Sequence, residues 1–366
     1  MDNMSKTVAF LTLDWTKGIE PVEPNGCAYY RCYLPSIELE KYEWGVASAL
    51  PEYHPEHGFG AYLNKDAIHF GWDIVVFKLI MLKTVAELLE NNKQLNQKIV
   101  VDVDDFYEGL QPSNLAWQNT DPEKYPDNNR EHYWRIIDLA DAIVTSTQFL
   151  YDFYTKEKGK SNVFLVRNGV DIDRWHKKQD HSRWLPTVGW VGAIPWRSGD
   201  LEMMDPFLGQ FLENNRLTFH HAGHIKEIKK DIRDLAGIPS TVKFTHEPRK
   251  TISMYPQLFR KIDIGIVPLS NIPFNHAKST IKGLEYTAAG IPFIASYSPE
   301  YELLAQQGVG RVAYNEEDWI NHLSELQDPK IRKEDIERNY ENVKNFHSMS
   351  SRGKDWNEVM NKILEM

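Results

Sequence analysis

The stretch Phe274-Asn-His-Ala-Lys-Ser-Thr-Ile-Lys-Gly-Leu-Glu-Tyr-Thr-Ala-Ala-Gly-Ile-Pro-Phe-Ile-Ala-Ser296 gathers the residue types needed to hold a nucleotide sugar. Ser279 is a favoured N-cap residue, Gly290 supplies a left-handed stop and Pro292 blocks continuation, which predicts a helix over Thr280–Ala289. The unpaired N–H groups of its first turn, around Ser279 and Thr280, combine with the helix dipole into a site for phosphate oxygens. At about 100° per residue Lys278, Lys282 and Glu285 share one face, with Glu285 on the order of 10 Å beyond Lys278. That span approximates the separation between a diphosphate and the ribose hydroxyls of one nucleotide, and a carboxylate accepts hydrogen bonds from both hydroxyls. The competing reading is an ordinary solvated i,i+3 pair of Lys282 and Glu285.

A second constellation is Val188-Gly-Trp-Val-Gly-Ala-Ile-Pro-Trp-Arg-Ser-Gly-Asp-Leu201, read as a strand, a small-residue turn and a helix from about Asp200. Gly192 lets a ligand approach the backbone, and a Gly-containing first βα turn is where doubly wound domains hold phosphates. Arg197 is the charge positioned to act there; the alternative is a solvated loop residue. In Lys98-Ile-Val-Val-Asp-Val-Asp-Asp-Phe106 the period of two puts Asp102 and Asp104 on one side of a strand, with Asp105 just past its end. Three readings compete: a divalent-cation site, Asp104 or Asp105 orienting an acceptor hydroxyl at a strand's carboxyl end, and local capping of N–H groups. His220-His-Ala-Gly-His224 and His246 lack the spacing of a helical metal site. Cys27 and Cys32 match no zinc pattern and read as reduced thiols.

These residues need a frame. Short apolar runs recur with helical stretches between them, the signature of parallel sheets covered on both faces. The first set is Val8–Leu13, Asp73–Phe77, Lys98–Val103, Ala142–Ser146 and Asn162–Val166. The second is Thr187–Val191, Leu217–Ala222, Val242–Thr245, Ile262–Pro268, Phe293–Ser296 and Arg311–Tyr314. Between them Asn168-Gly169 reads as a turn and Lys177–Arg183 as a linker. The tail places Trp356, Val359, Met360 and Ile363 on one helical stripe.

A length of 366 residues accommodates two domains. No apolar run is long enough to cross a membrane, and the start lacks a secretory signal, so a cytoplasmic location is expected. A net charge of −10 argues against general binding to nucleic acid or acidic membrane. The aromatic content leans slightly toward carbohydrate binding.

The polar loop, basic helix entry, Glu285 and Gly-x-Pro together resemble the donor-binding segment of GT-B glycosyltransferases, especially the retaining group called glycosyltransferase family four. Asn168-Gly-Val-Asp171 and the 188–201 turn are similar to further segments of that family. The resemblance implies two doubly wound, Rossmann-like α/β domains facing a cleft: an acceptor-side domain over 1–170 and a nucleotide-sugar domain over 171–349. The helix 350–366 would cross back onto the first. It also implies transfer of a sugar from a nucleotide diphosphate sugar to a hydroxyl acceptor (glycan, glycolipid or protein), with retention and without a metal or other cofactor. Glu285 matches the family's ribose-binding Glu, whereas the first Glu of its Glu-x7-Glu pair falls on Ala277, leaving Lys278, Asn275 or His276 to contact the sugar. Arg197 with Lys278 or Lys282 would neutralise the leaving diphosphate, and His246 would line the nucleobase pocket. Gly26, Tyr30 and Arg31 match the N-terminal loop that meets donor phosphate and acceptor, although packing and capping explain them as well. The rival readings are a nucleotide-sugar epimerase of similar fold and a catalytically inactive sugar-binding relative.

Overall fold

The computed structural model describes residues 6–16, 22–63, 67–91, 96–226 and 231–366. The chain forms two units: Met1–Tyr107 with Trp117–Gly169 and Met349–Met366, and Val170–Ser348 with Glu108–Ala116.

The first unit is built on seven strands: β1 (Thr7–Thr12), β2 (Gly45–His54), β3 (Gly58–Tyr62), β4 (Ile74–Lys78), β5 (Lys98–Val103), β6 (Ala142–Thr145) and β7 (Val163–Leu165). Their order is β3-β2-β1-β4-β5-β6-β7, all pairings parallel except the β2–β3 hairpin. Runs such as Val8–Leu11 and Ile74–Phe77 are buried throughout, as a sheet covered on both faces requires. β2 and β3 escape the sequence pattern. β2 carries Pro51 and a mixed run of small and polar residues, and its burial is only partial. An edge hairpin of this kind lacks the continuous apolar signal of a central strand.

After β1 the chain enters three consecutive helical segments, Gly26–Ala28, a wide turn over Tyr29–Tyr33, and Leu34–Glu40. Within this stretch Tyr30 and Arg31 are buried, in line with the packing alternative, whereas Gly26 at the entry is exposed. Arg31 Nε donates to Asp102 of β5 at 3.1 and 3.0 Å, and its Nη2 reaches Oδ1 at 2.5 Å. Nη1 donates to the Val166 carbonyl at 2.7 Å and to Asn168 Oδ1 at 3.0 Å. The final helix, Met349–Leu364, turns Trp356, Val359, Met360 and Ile363 inward. Trp356 meets Phe10 edge to face at 5.5 Å and lies under the Arg31 guanidinium at 4.9 Å. Arg31 is therefore a core brace, and its charge is matched by a carboxylate that is itself 0% exposed.

The second unit holds β8 (Thr187–Val191), β9 (Thr218–Gly223), β10 (Lys243–Pro248), β11 (Ile264–Val267), β12 (Phe293–Ser296) and β13 (Arg311–Ala313), all parallel, in the order β10-β9-β8-β11-β12-β13. The 177–183 segment is not a solvated linker. Lys178 donates its backbone N–H to the Ala289 carbonyl and pairs with buried Asp263, and the His181 carbonyl accepts from Arg332 at 2.9 Å. Its charges have partners, which lets a polar sequence lie against the fold.

Removing Arg31 strands a buried carboxylate, so Arg31→Ala should lower stability by about 3–5 kcal/mol. Lys41→Ala, which breaks the exposed Lys41–Glu38 pair, should stay within about 0.5 kcal/mol. Urea denaturation of the two variants beside the parent chain measures the contrast.

Candidate functional site

In an open α/β sheet, ligands bind outside the carboxyl ends of the strands where the strand order reverses. In the second unit that point lies between β8 and β11. The turn after β8 carries Arg197 and Asp200, and the turn after β11 carries Ser270 and Asn275. Asp200 joins them. Its Oδ1 accepts from the Ser270 N–H at 2.9 Å, Ser270 Oγ at 3.1 Å and Asn275 Nδ2 at 2.7 Å. Burial raises the Asp200 pKa, and the Arg197 charge and these three donors oppose that shift. Because Asp200 is spent on this bridge it starts no helix. A single turn at Glu202–Met204 follows, and the helix begins only at Phe207. Asn275, expected to face the sugar, is buried, and its amide also donates to the Ser270 carbonyl at 2.9 Å.

The helix of the 274–296 segment runs Ile281–Ala288, one residue shorter than expected at each end. Thr280, not Ser279, occupies the N-cap position, and it makes no side-chain cap bond. A short turn at Pro273–His276 precedes it and fixes the entry. The exit matches the sequence signal: Gly290 has φ 73°, and the Ile291 N–H reaches back to the Tyr286 carbonyl at 2.9 Å. Tyr286 pins the helix to β8, its hydroxyl accepting from the Val191 N–H and donating to the Gly189 carbonyl, each at 3.0 Å.

On this helix Lys282 and Glu285 do not form a solvated surface pair. Their side chains are 17% and 3% exposed, and Lys282 Nζ lies 2.9 Å from Glu285 Oε2. Tyr255, from the turn Ile252–Phe259 beyond β10, donates to the same oxygen at 3.0 Å and accepts from Lys282 at 2.8 Å. Burial, reinforced by the Glu285 charge, pushes the Tyr255 phenol well above its usual pKa, so it stays a donor. Arg197 acts electrostatically on Tyr255, Tyr301 and Asp200, which puts its charge in the same neighbourhood. Lys278 is 9% exposed, with its ammonium 3.9 Å from the Phe274 ring centroid. Ala277 is fully buried, and His276 bonds Asn271 at 2.8 Å. Cationic Arg197, Lys278 and Lys282, with one buried carboxylate, form an arrangement suited to a polyanion carrying hydroxyls.

Gly192 is packed by the Trp190 ring, and its carbonyl accepts from His221 Nε2 at 3.2 Å. Strand register aligns Trp190, His221 and His246 across β8, β9 and β10. The rings stack, Trp190 on His221 at 5.2 Å and His221 on His246 at 5.1 Å. Burial, with the His246 charge adding to it, pushes His221 down to about 3. Burial also lowers His220 and His246.

In the first unit the reversal lies between β1 and β4. Lys78 ends β4, buried, and pairs with Asp104, with Asp102 Oδ2 at 3.8 Å. Asp14, just past β1, accepts from the Ala28 N–H at 3.1 Å, and burial raises its pKa against that bond, Asn25 and the Lys78 charge. Asp104 and Asp105 are half-buried beside this group. Two of the three carboxylates of the 98–106 segment thus already face cations. Tyr255, Asp200, Lys78 and Asp14 went unrecognised in the sequence. Only Lys78 left a trace, as a lone charge inside the apolar run 74–82.

No protein-family model matches the chain. It is 27% identical over 175 residues to the Bacillus subtilis protein named "Putative teichuronic acid biosynthesis glycosyltransferase TuaH", a match covering 45% of this chain and 42% of that one. The chain therefore spans less than half the length of this relative. Among solved structures, sucrose-phosphate synthase from Thermosynechococcus elongatus superposes with a TM-score of 0.66 at 10% identity, covering 98% of this chain and 99% of the other. Anabaena Alr3699/HepE in complex with UDP superposes with a TM-score of 0.62 at 13% identity, covering 98% and 100%.

The histidine stack fixes a pH response. Held neutral in the fold and free to protonate near pH 6.5 when unfolded, His221 contributes stability that is complete above that pH and is lost as pH falls toward 3. One such group gives a slope of about 1.4 kcal/mol per pH unit. Urea midpoints at pH 7 and pH 5 should fall more steeply in the parent than in His221→Gln. The first unit carries a doubly wound sheet that is parallel except for its edge hairpin and the second a wholly parallel one, and together with these superpositions they give the chain the GT-B fold.

Proposed function

We propose that the protein is a glycosyltransferase that moves a sugar from a nucleotide diphosphate sugar to a hydroxyl acceptor. The observation that carries this reading is the buried Tyr255–Lys282–Glu285 group on a helix whose entry holds Lys278, with Arg197 acting on the same neighbourhood. An isolated structural pair would need no further cations around it. Uridine is the base we favour, since the Anabaena protein is described with UDP and UDP-glucose. The name of the Bacillus relative points to teichuronic acid biosynthesis as the kind of process served.

In this reading Glu285, fixed by Tyr255 and Lys282, receives the ribose hydroxyls. The diphosphate rests at the helix entry near Ser279 and Thr280, and Gly192 and His246 border the nucleotide. Arg197, Lys278 and Lys282 offset the negative charge that grows on the departing diphosphate, which is electrostatic catalysis by prepositioned cations. These side chains supply the counter-charge without a bound metal, and we infer retention of the anomeric configuration from the family resemblance. Asp104 and Asp105, with Gly26, are proposed to meet the acceptor. Tyr30 and Arg31 leave this set because they are core residues.

A thermal-shift screen with UDP, GDP and ADP tests the site and names the base; UDP should raise the melting temperature. Glu285→Ala should weaken UDP binding by roughly 1.5–3 kcal/mol for each charged hydrogen bond lost. Arg197→Ala should instead depress turnover of labelled UDP-sugars far more than it changes nucleotide affinity. Equal losses in both quantities would remove Arg197 from the transition state. C2-altered sugar among the products would identify an epimerase, and binding without turnover an inactive relative.

A further inference from the structure

The β2–β3 hairpin of the first unit carries a second group of functional side chains, in His54-Pro-Glu-His-Gly58. We propose that His54, Glu56 and His57 form a binding site for a divalent late first-row metal ion of the zinc class, separate from the nucleotide site. One ligand atom from each residue lies within 4.8 Å of the others. A tetrahedral ion with bonds of about 2.0–2.1 Å requires roughly 3.3 Å between ligand atoms. Glu56 and His57 are exposed, so rotation of their side chains can close the difference. Two imidazoles and one carboxylate favour zinc, nickel or copper over magnesium or calcium, which take oxygen ligands.

The turn and its surroundings bring the two rings together. Register sets His54 opposite Gly58, so only three residues form the turn, and the His57 N–H bonds the His54 carbonyl at 3.3 Å. The two imidazoles lie 4.6 Å apart with planes 20° from parallel. Phe70 backs both, at 5.8 Å from His54 and 6.0 Å from His57. Phe70 reaches them because residue 60 is glycine, where a Cβ would stand 2.5 Å from the Phe70 ring. His54 Nδ1 accepts the Glu56 N–H at 3.2 Å, and a metal taken at that nitrogen replaces the proton donor at the same lone pair.

Isothermal titration of the full chain, after chelator treatment, with zinc chloride at pH 7.5 tests the site. The expected result is one equivalent of Zn2+ bound with micromolar affinity, lost in His57→Ala and in His54→Gln, with no heat from Mg2+. Absorption of the cobalt-loaded protein should show visible d–d bands that the same variants lack. An unchanged zinc stoichiometry in both variants would overturn the proposal, as would no binding by the parent chain. His57 is exposed and outside the nucleotide site, so His57→Ala should leave the UDP-induced thermal shift intact.

Discussion

A single buried guanidinium ties together the most distant parts of the first unit. Arg31 joins the helical stretch after β1 to Asp102 in β5, to the chain leaving β7 at Val166 and Asn168, and to Trp356 in the last helix. Burial alone would lower the Arg31 pKa, but Asp102 more than reverses that and the charge is kept. A buried pair of this kind adds little net stability against a well-packed apolar alternative. Its value is in register: its donors are shared between β5 and the β7 exit, and its face rests on the final helix. The second unit uses the same device at Asp263, which receives the Thr187 N–H at 2.8 Å and pairs with Lys178. There the fixed element is the start of β8, the strand whose far end leads to Arg197.

Both sheets concentrate buried charge at the carboxyl ends of their central strands. That location follows from topology, because strand order reverses there and the crossover helices diverge. Charges in such a place are costly unless paired, and the pairs found are Asp200 with its donors, Glu285 with Lys282, and Asp104 with Lys78. Each pair also restrains its side chains to one hydrogen-bonded geometry. The Glu285 carboxylate gains its second donor from Tyr255, which lies 30 residues earlier in the chain. In the proposed site a ligand oxygen would meet preset dipoles rather than mobile surface charges.

The strands that show in the sequence are those buried on both faces, since a short apolar run between helical stretches is a direct consequence of that burial. β5, β8 and β12 fall on their expected residues, while the hairpin β2–β3 was illegible because its half-buried face mixes Gly, Ser, Pro and Glu with apolar residues. The stop at Gly290 was legible because a left-handed exit has a residue signature. The start was misplaced by one residue because the Pro273–His276 turn, a tertiary feature, sets the entry. Lys282 and Glu285 were readable as a pair by spacing, but not as a buried pair, and burial is what separates a site from a surface. Tyr255 and Asp200 join the site through contacts 30 and 75 residues away in sequence, which no local pattern reports. The 177–183 segment shows the converse: its composition reads as linker, yet Asp263 and Arg332 give its polar groups partners.

Position 277 is where the sequence departs from the Glu-x7-Glu pattern of the family it resembles, and its surroundings give a physical reason for the departure. Ala277 is 0% exposed, so a glutamate there would need either an opening to ligand or a buried counter-charge. Its neighbour Phe274 is buried and holds the Lys278 ammonium 3.9 Å from its ring centroid, a cation–aromatic contact within the same turn. This turn therefore carries an aromatic–cationic contact, and the buried Lys282–Glu285 pair lies further along in the helix that follows. In the proposed reading the Glu285 end of this helix serves the nucleotide and the 277–278 end faces the sugar, so a change at position 277 alters which sugar is accepted before it alters whether a nucleotide binds.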